Sequence, residues 1–408
     1  MKLKHLRHPL KTINTAASMF AARRHMLRLA AHGARHFKND TRYDPQNVTE
    51  GFASRIDDSR DDSDLLERIC ISYGKATEQQ QPASAAYRAT EWWAQIRQRS
   101  LSPVIRALQT RDINTLRKMY RNFFRDPCST GLIGVPYGMS SAYFGKRIKG
   151  VHRSVYLSLA LRRLDYWMTQ TSGSFALHDL AGPEIGNPFG LLLQGTLLRT
   201  DAEYAHYCAY RLGSLLDSQK SIVAEIGGGF GGMAYYLLRD HADITYLNFD
   251  VPESIALCSY YLLKAFPQLT FFLYGEGELT KKSIDRADIV LMPLPELSSM
   301  PPESVDVTFS SHAMSDVSSD SMIEYVQTIE RVTRTSFLHI GHAQACKSLS
   351  DLISKRDSSF ALTQTHQSDW GSHQITGGKV EGMAAAMFEH CYTRTGVLKS
   401  QAADAVVI

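Results

Sequence analysis

The sequence predicts an α/β fold: a mainly parallel sheet with helices on both faces, preceded by a helical N-terminal region and a basic arm. Three observations carry this reading. Beyond Gly182, short apolar segments alternate with amphipathic ones in a strand–helix–strand order, which lays successive strands parallel with crossover helices between them. The apolar segment Ile222 to Ile226 runs into Gly227-Gly228-Gly229-Phe230-Gly231-Gly232 and then a helix-like stretch, a layout that lets the backbone turn sharply and offers free N–H groups to a ligand. Residues 64–124 show helical spacing of apolar side chains instead.

Taken in order, the chain divides into an arm (1–45), a helical region (46–180) and an α/β domain (181–400). Residues 1–39 carry nine Lys and Arg and no acid, so of the net charge of +4 the remainder holds −5. Met19, Phe20, Met26, Leu27 and Leu29 make this arm amphipathic, suited to peripheral contact with an anionic membrane or a polyanion. It also resembles an organellar transit peptide, and the plain alternative is a solvated extension. Residues 40–62 are polar and read as a linker. Leu65, Leu66, Ile69, Trp92, Trp93, Ile96, Val104, Ile105 and Leu108 mark helices, residues 126–149 are turn-rich, and Val151 to Thr169 reads as a helix. No apolar run is long enough to span a bilayer. The six scattered cysteines contain no C-x-x-C pair, which suits a reducing, cytoplasmic setting.

In the α/β part, Leu191 to Leu198 reads as an apolar helix carrying Arg199. Strands are expected at Ile222–Ile226, Ile244–Phe249, Ile289–Met292, Val305–Phe309 and Ser336–Ile340, with helices at Met233–Arg239, Pro252–Phe266 and Ser319–Val332. Ligands of such sheets lie beyond the carboxyl ends of the strands. The chemistry is therefore expected at Glu225–Gly229, Asp250, Met292–Leu294, Ser310–Asp316 and His339–His342.

The glycines do not form a phosphate-hydrolysing loop, because no Lys-Ser/Thr follows them. They fit G-x-G-x-x-G, a weak dinucleotide signal. Two acids favour another ligand. Glu225, two positions before the glycines, would repel a pyrophosphate and attract an ammonium. Asp250, at the end of the next strand, is placed to accept both ribose hydroxyls. Glu-x-Gly-x-Gly with this downstream Asp resembles the class I S-adenosylmethionine-dependent methyltransferases.

The local words resemble one group among them, the sugar O-methyltransferases of bacterial glycan gene clusters. Ile222-Val-Ala-Glu-Ile-Gly-Gly-Gly-Phe-Gly-Gly-Met-Ala234 is similar to that family's VEIGGGYGGLA segment, Gly186-Asn-Pro188 to its GNP turn, Asp250-Val-Pro-Glu253 to its DLPE word, and Ile289-Val-Leu-Met-Pro293 to its IVLIP strand. The resemblance covers residues 180–345. It implies a Rossmann-like domain with a mainly parallel seven-stranded sheet, S-adenosyl-L-methionine as cofactor, and a hydroxyl of a sugar or glycan as acceptor. The cofactor contacts it implies are Glu225, Gly227, Gly228, Gly229 and Asp250, with Met292 beside the adenine. Residues 306–316 depart from the family: Asp316 stands for its Glu, Ala313 for its Ser and Ser310 for its Asn, and His312 is extra.

A sugar hydroxyl is a weak nucleophile, so a general base is expected within reach. His312 is the first choice, its ordinary pKa lying near neutrality. Asp316 would orient it, bind the sugar, or be the base itself. Against this stands a plainer reading, in which His312 is a polar loop residue and Asp316 helps cap the following helix. His339 and His342 end a strand without a third ligand at zinc spacing. Ser310-Ser311 occupies the place where some relatives carry paired acids for a metal, so no metal is expected. Arg199 is a candidate for the cofactor carboxylate or a substrate anion, or else a surface residue; Trp370 and Tyr143 are candidates for stacking on a sugar ring. Other readings of the same residues are a small natural product or lipid acceptor, and a degenerate methyltransferase fold serving as a scaffold. No nucleic-acid partner is expected, because the basic charge lies in the arm. The helical region is a candidate surface for substrate or for a homo-oligomer.

Overall fold

A computed structural model describes residues 20, 23–24, 26–28, 30–31, 35, 50–57, 61–134, 150–217, 220–315, 317–356, 358–370, 374–376, 379–381 and 386–396. The helical region contains α1 (Ser63–Gln80), α2 (Glu91–Ile96), α3 (Ser102–Thr110), α4 (Ile113–Tyr120) and α5 (Val151–Gln170). A β-hairpin follows, β1 (Gly190–Leu193) and β2 (Thr196–Arg199), then α6 (Ala202–Gly213). The sheet is built from β3 (Ser221–Ile226), β4 (Ile244–Asp250), β5 (Phe271–Leu273), β6 (Ile289–Pro293), β7 (Val305–Ser311), β8 (Thr333–His342), β9 (Phe360–Ser368) and, after the small hairpin β10 (Gln374–Thr376) and β11 (Lys379–Glu381), β12 (Met387–Arg394). Its helices are α7 (Gly232–Asp240), α8 (Pro252–Ala265), α9 (Lys281–Arg286), α10 (Ser319–Val332) and α11 (Ala343–Lys355).

The main sheet has the order β5-β6-β4-β3-β7-β8-β12-β9. Pairings from β5 to β8 are parallel, and β12 is antiparallel to both neighbours. From β3 the chain winds outward through β4 to β6, then returns to β7 on the other side of β3. The topological switch point therefore lies at the carboxyl ends of β3 and β7. This is the Rossmann-like class I methyltransferase fold, with eight strands in the main sheet where seven were expected. β5 is the added edge strand, and three residues are too few to show a period. β3 and β4 are almost wholly buried, as their continuous apolar runs require when helices cover both faces.

The helix expected over Leu191 to Leu198 is instead the β1–β2 hairpin. Gln194 (φ 49°) and Gly195 (φ 79°) form its left-handed two-residue turn, and Leu191, Leu193 and Leu198 are buried. A run of leucines does not distinguish strand from helix, and the turn residues decide it.

Three contacts lock the helical region to the α/β part, and one apolar cluster runs through both, from Leu66 to Cys391. The Gly186-Asn187-Pro188 turn is a clamp. Gly186 (φ 81°) lies where a Cβ would sit 2.1 Å from the Phe123 ring, its carbonyl accepts the Phe124 N–H at 3.0 Å, and Asn187 bonds Asn122 and the Arg55 N–H, each at 2.7 Å. Glu253, buried at the start of α8, accepts from Trp93 Nε1 at 2.7 Å and pairs with Arg97 at 3.1 Å. Asp62, in the segment read as a linker, is buried and takes Arg121 at 2.9 Å, Arg117 at 3.2 Å, the Tyr260 hydroxyl at 3.0 Å and Lys264 at 3.5 Å. Breaking a buried pair strands its partners, at a cost of about 3 kcal/mol or more. Asp62→Ala is therefore expected to lower stability by about that amount, read as a shift in urea midpoint; an unchanged midpoint would show that the network contributes nothing.

Candidate active site

The glycine loop sits at the switch point, and its conformation depends on glycine. Gly227, Gly229 and Gly231 have φ of 82°, 58° and 89°, a region that ordinary residues rarely adopt. A Cβ on Gly227 would lie 2.2 Å from the Ala313 Cβ, so the loop touches the segment after β7. A Cβ on Gly228 would lie 2.8 Å from both the Asn248 Oδ1 and the Tyr246 hydroxyl beneath it. The loop is held by its own N–H groups: Gly227 donates to the Phe249 carbonyl at 2.9 Å, Gly228 to Asn248 Oδ1 at 3.1 Å, and Gly229 to Asp250 Oδ2 at 3.0 Å.

Glu225 lies beneath this loop, almost fully buried, and accepts from the Tyr246 hydroxyl at 2.5 Å. Burial pushes its pKa up to about 8, against the pull of the Tyr246 bond and with a further push from Asp250. Asp250 is also buried; burial lifts it to about 7, although the Val251 and Gly229 N–H groups favour its charged form. Those two bonds leave part of its four-lone-pair capacity free for hydroxyl donors. Tyr246, Asn248 and Asp250 alternate along one face of β4, and Tyr246 and Asn248 are supports that sequence reasoning missed; the period of two was the available signal. Met292 is buried at the end of β6, in the apolar cluster with Phe249, Val251, Leu294 and Met314.

Arg199 ends β2 beside the start of α7. It is 2% exposed, and its guanidinium lies 5.1, 5.5 and 5.8 Å from the ring centroids of Phe230, Tyr236 and Phe124. Only Nη1 is bonded, to the Thr200 carbonyl at 3.2 Å; Nε and Nη2 have no partner. A Cβ on Gly232, the first residue of α7, would lie 3.3 Å from Nη2. α7 has no side-chain cap, and its first residue lies beside the guanidinium. Arg199 is thus a buried cation at the loop, not a surface residue.

His312 lies at the carboxyl end of β7 with φ 63°. Its N–H donates to the Ile340 carbonyl at 2.9 Å. The residue is exposed, with its ring 6.0 Å from the Tyr204 ring and 5.6 Å from His342. Desolvation by the surrounding protein, then His342 and Arg163, shifts its pKa below the ordinary imidazole value. Tyr204 bonds Ser311 at 2.5 Å, which fixes the start of α6 against β7. Asp316 and Tyr143 lie outside the described residues. Trp370 does not offer a face to a sugar: it is 3% exposed and packed by Tyr166, Tyr204 and Tyr207. Among the described residues, no three His, Cys, Asp or Glu side chains converge as metal ligands, and no helix is long and apolar enough to cross a membrane.

No family model matches the chain, and no curated protein matches it. Among solved structures it is similar to magnesium protoporphyrin IX methyltransferase (ChlM) from Synechocystis PCC 6803 with bound SAM, at 10% identity, over 47% of this chain and 77% of that one, with a TM-score of 0.32. It is also similar to a SAM dependent methyltransferase from Aquifex aeolicus, at 11% identity, over 46% and 88%, with a TM-score of 0.30.

Proposed function

We propose that the chain is an S-adenosylmethionine-dependent O-methyltransferase acting on a hydroxyl of a sugar or glycan. The observation that carries the cofactor is the pairing of opposite poles at one loop: the buried acids Glu225 and Asp250, and the buried Arg199 guanidinium, whose Nε and Nη2 lack hydrogen-bond partners, beside the uncapped α7. A zwitterionic amino-acid head joined to a ribose satisfies both poles, whereas a pyrophosphate satisfies only the second. In this reading Asp250 receives the ribose hydroxyls, Arg199 and α7 hold the carboxylate, and Glu225 acts on the ammonium from beneath Gly228. When bound, the cofactor supplies an activated methyl: the acceptor oxygen bonds to the methyl carbon as the carbon–sulfur bond breaks, and the electron pair stays on sulfur. His312 receives the hydroxyl proton. The sugar acceptor rests on the family words around this site. Exposed Phe20 and Leu27 beside Arg23, Arg24 and Arg28 favour a lipid-linked acceptor presented at an anionic surface.

Calorimetric titration with S-adenosylmethionine and with NADH tests the cofactor; binding of NADH alone would overturn it. Methyl transfer to a panel of glycans, read by mass spectrometry, tests the acceptor. The raised acids add a signed prediction. Their folded pKa values exceed the ordinary carboxylate value, so the cofactor-free protein holds protons that a cationic ligand expels. Affinity should rise with pH from about 6 to 8 and then level, with proton release visible as buffer-dependent binding heat; buffer-independent heat at pH 7 would contradict it. For the same reason their contribution to stability is full below the unfolded pKa and falls as pH rises through about 7 to 8.

A further inference from the structure

A piece of the helical region lies against the glycine loop. Residues 131–134 follow a tight turn that is held locally: the Cys128 N–H donates to Asp126 Oδ1 at 2.9 Å, the Thr130 hydroxyl to the Pro127 carbonyl at 2.7 Å, and the Leu132 N–H to the Ser129 carbonyl at 2.9 Å. Ile133 is buried and anchors the segment in the core. Three close approaches fix its path. A Cβ on Gly131 (φ 82°) would lie 2.9 Å from Cζ3 of Trp93. A Cβ on Gly229, in the loop, would lie 3.1 Å from the Leu132 carbonyl oxygen. A Cβ on Gly134 (φ 66°) would overlap the Asp201 carboxylate. Glycine is the residue that permits backbone to come this near its neighbours.

The segment therefore runs from the Asp250 end of the candidate site to the His312 end. At the first end stands Trp93 of α2. Its N–H is capped by the Thr90 hydroxyl at 3.3 Å, its Nε1 donates to Glu253 at 2.7 Å, three residues beyond Asp250, and its ring packs against both apolar clusters of the protein. At the other end Asp201 is ion-paired with Arg163 and precedes α6. Tyr204 of that helix bonds Ser311 at 2.5 Å and lies 6.0 Å from the His312 ring. Between the ends, Leu132 rests on Gly229, whose N–H is held by Asp250 at 3.0 Å. Phe123 and Phe124 reach Phe230, the next loop residue, with ring centroids 5.7 and 5.4 Å away. The helical region thus touches two successive residues of the loop.

We propose that residues 131–134 form a wall of the cofactor site, and that Trp93 is a positioning residue that sets the distance of this wall from Gly229 and Asp250. The proposal rests on the methyltransferase reading for the identity of the ligand. It gives the helical region a part in cofactor recognition that the strand-end residues alone do not supply. The wall meets the loop through main chain, so its effect depends on placement, and misplacing such an element by about 1 Å can cost up to about 100-fold.

Hydrogen exchange of the full wild-type chain, with and without saturating S-adenosylmethionine, is the first test. The segment around Leu132 should exchange more slowly by about threefold or more when the cofactor is bound. Calorimetry on variants is the second. Trp93→Ala should weaken S-adenosylmethionine binding by about tenfold, and Trp93→Phe, which keeps a ring against Gly131, should recover most of that loss. Where Trp93→Ala does not fold, Gly131→Ala, whose methyl pushes on the Trp93 ring, is expected to weaken binding in the same way. A lowered melting temperature with unchanged affinity would show a purely structural role and overturn the proposal. Binding by the wild type that protects residues 227–232 but not residues 130–134 would also overturn it, leaving the methyltransferase reading intact. A wild-type chain that binds no S-adenosylmethionine would overturn both together.

Discussion

Replacing Asp250 with alanine is expected to weaken S-adenosylmethionine binding by about 100-fold or more. The residue does two jobs at one point. Its Oδ2 receives the Gly229 N–H at 3.0 Å and its Oδ1 the Val251 N–H at 2.7 Å, so it fixes the loop, and its remaining lone pairs face the place assigned to the ribose. Hydrogen bonds to a charged group contribute about 1.5–3 kcal/mol each, and losing two ribose bonds alone is a matter of two or more decades. Asp250→Asn keeps an oxygen for Gly229 and should lose less. Calorimetry on both variants, alongside a melting curve, separates lost recognition from lost folding. Unchanged affinity in the alanine variant would remove Asp250 from the cofactor site.

His312→Ala should reduce methyl transfer by about 10²–10⁴-fold, the usual range for a positioned general base, with cofactor affinity unchanged. The ring sits beside Ala313, whose Cβ meets Gly227, so the histidine borders the loop without belonging to it. Alanine at an αL position retains the φ penalty, and His312→Asn tolerates that conformation better. Comparing the two variants separates loss of the imidazole from backbone strain. Single-turnover rates across a pH series are the measurement; equal rates in wild type and both variants would leave Asp316 or a water as the base.

The central sheet was legible because its strands are buried on both faces and separated by amphipathic helices. Ile244–Asp250 and Ser319–Val332 could be read almost to the residue. The chain beyond α11 was not legible, for a physical reason. β9 exposes most of its residues and β12 mixes Glu389, His390 and Thr393 with its apolar positions, so neither shows a clean period. The leucines of β1 and β2 misled because hydrophobic content was read without its turn. At the site, Glu225 and Asp250 could be found from their spacing; the alternation along β4 marked Tyr246 and Asn248 as sharing the face of Asp250, but their bonds to Glu225 and the loop show only in the fold. The Asn187 turn stood out as a family word; that it clamps two parts of the chain together is visible only in three dimensions.

The locks at Glu253 and Asp62 bear on how such a protein could change its substrate by recombination. Grafting a foreign helical region onto this α/β part would keep Glu253, Tyr260 and Lys264 but discard Trp93, Arg97 and Asp62, leaving a buried carboxylate at the start of α8 with no donor. α8 begins two residues after Asp250, so the damage would reach the glycine loop and its proposed cofactor contacts first. Viable chimaeras must exchange both sides of each lock together, whereas point changes around the proposed base His312 would leave both locks intact.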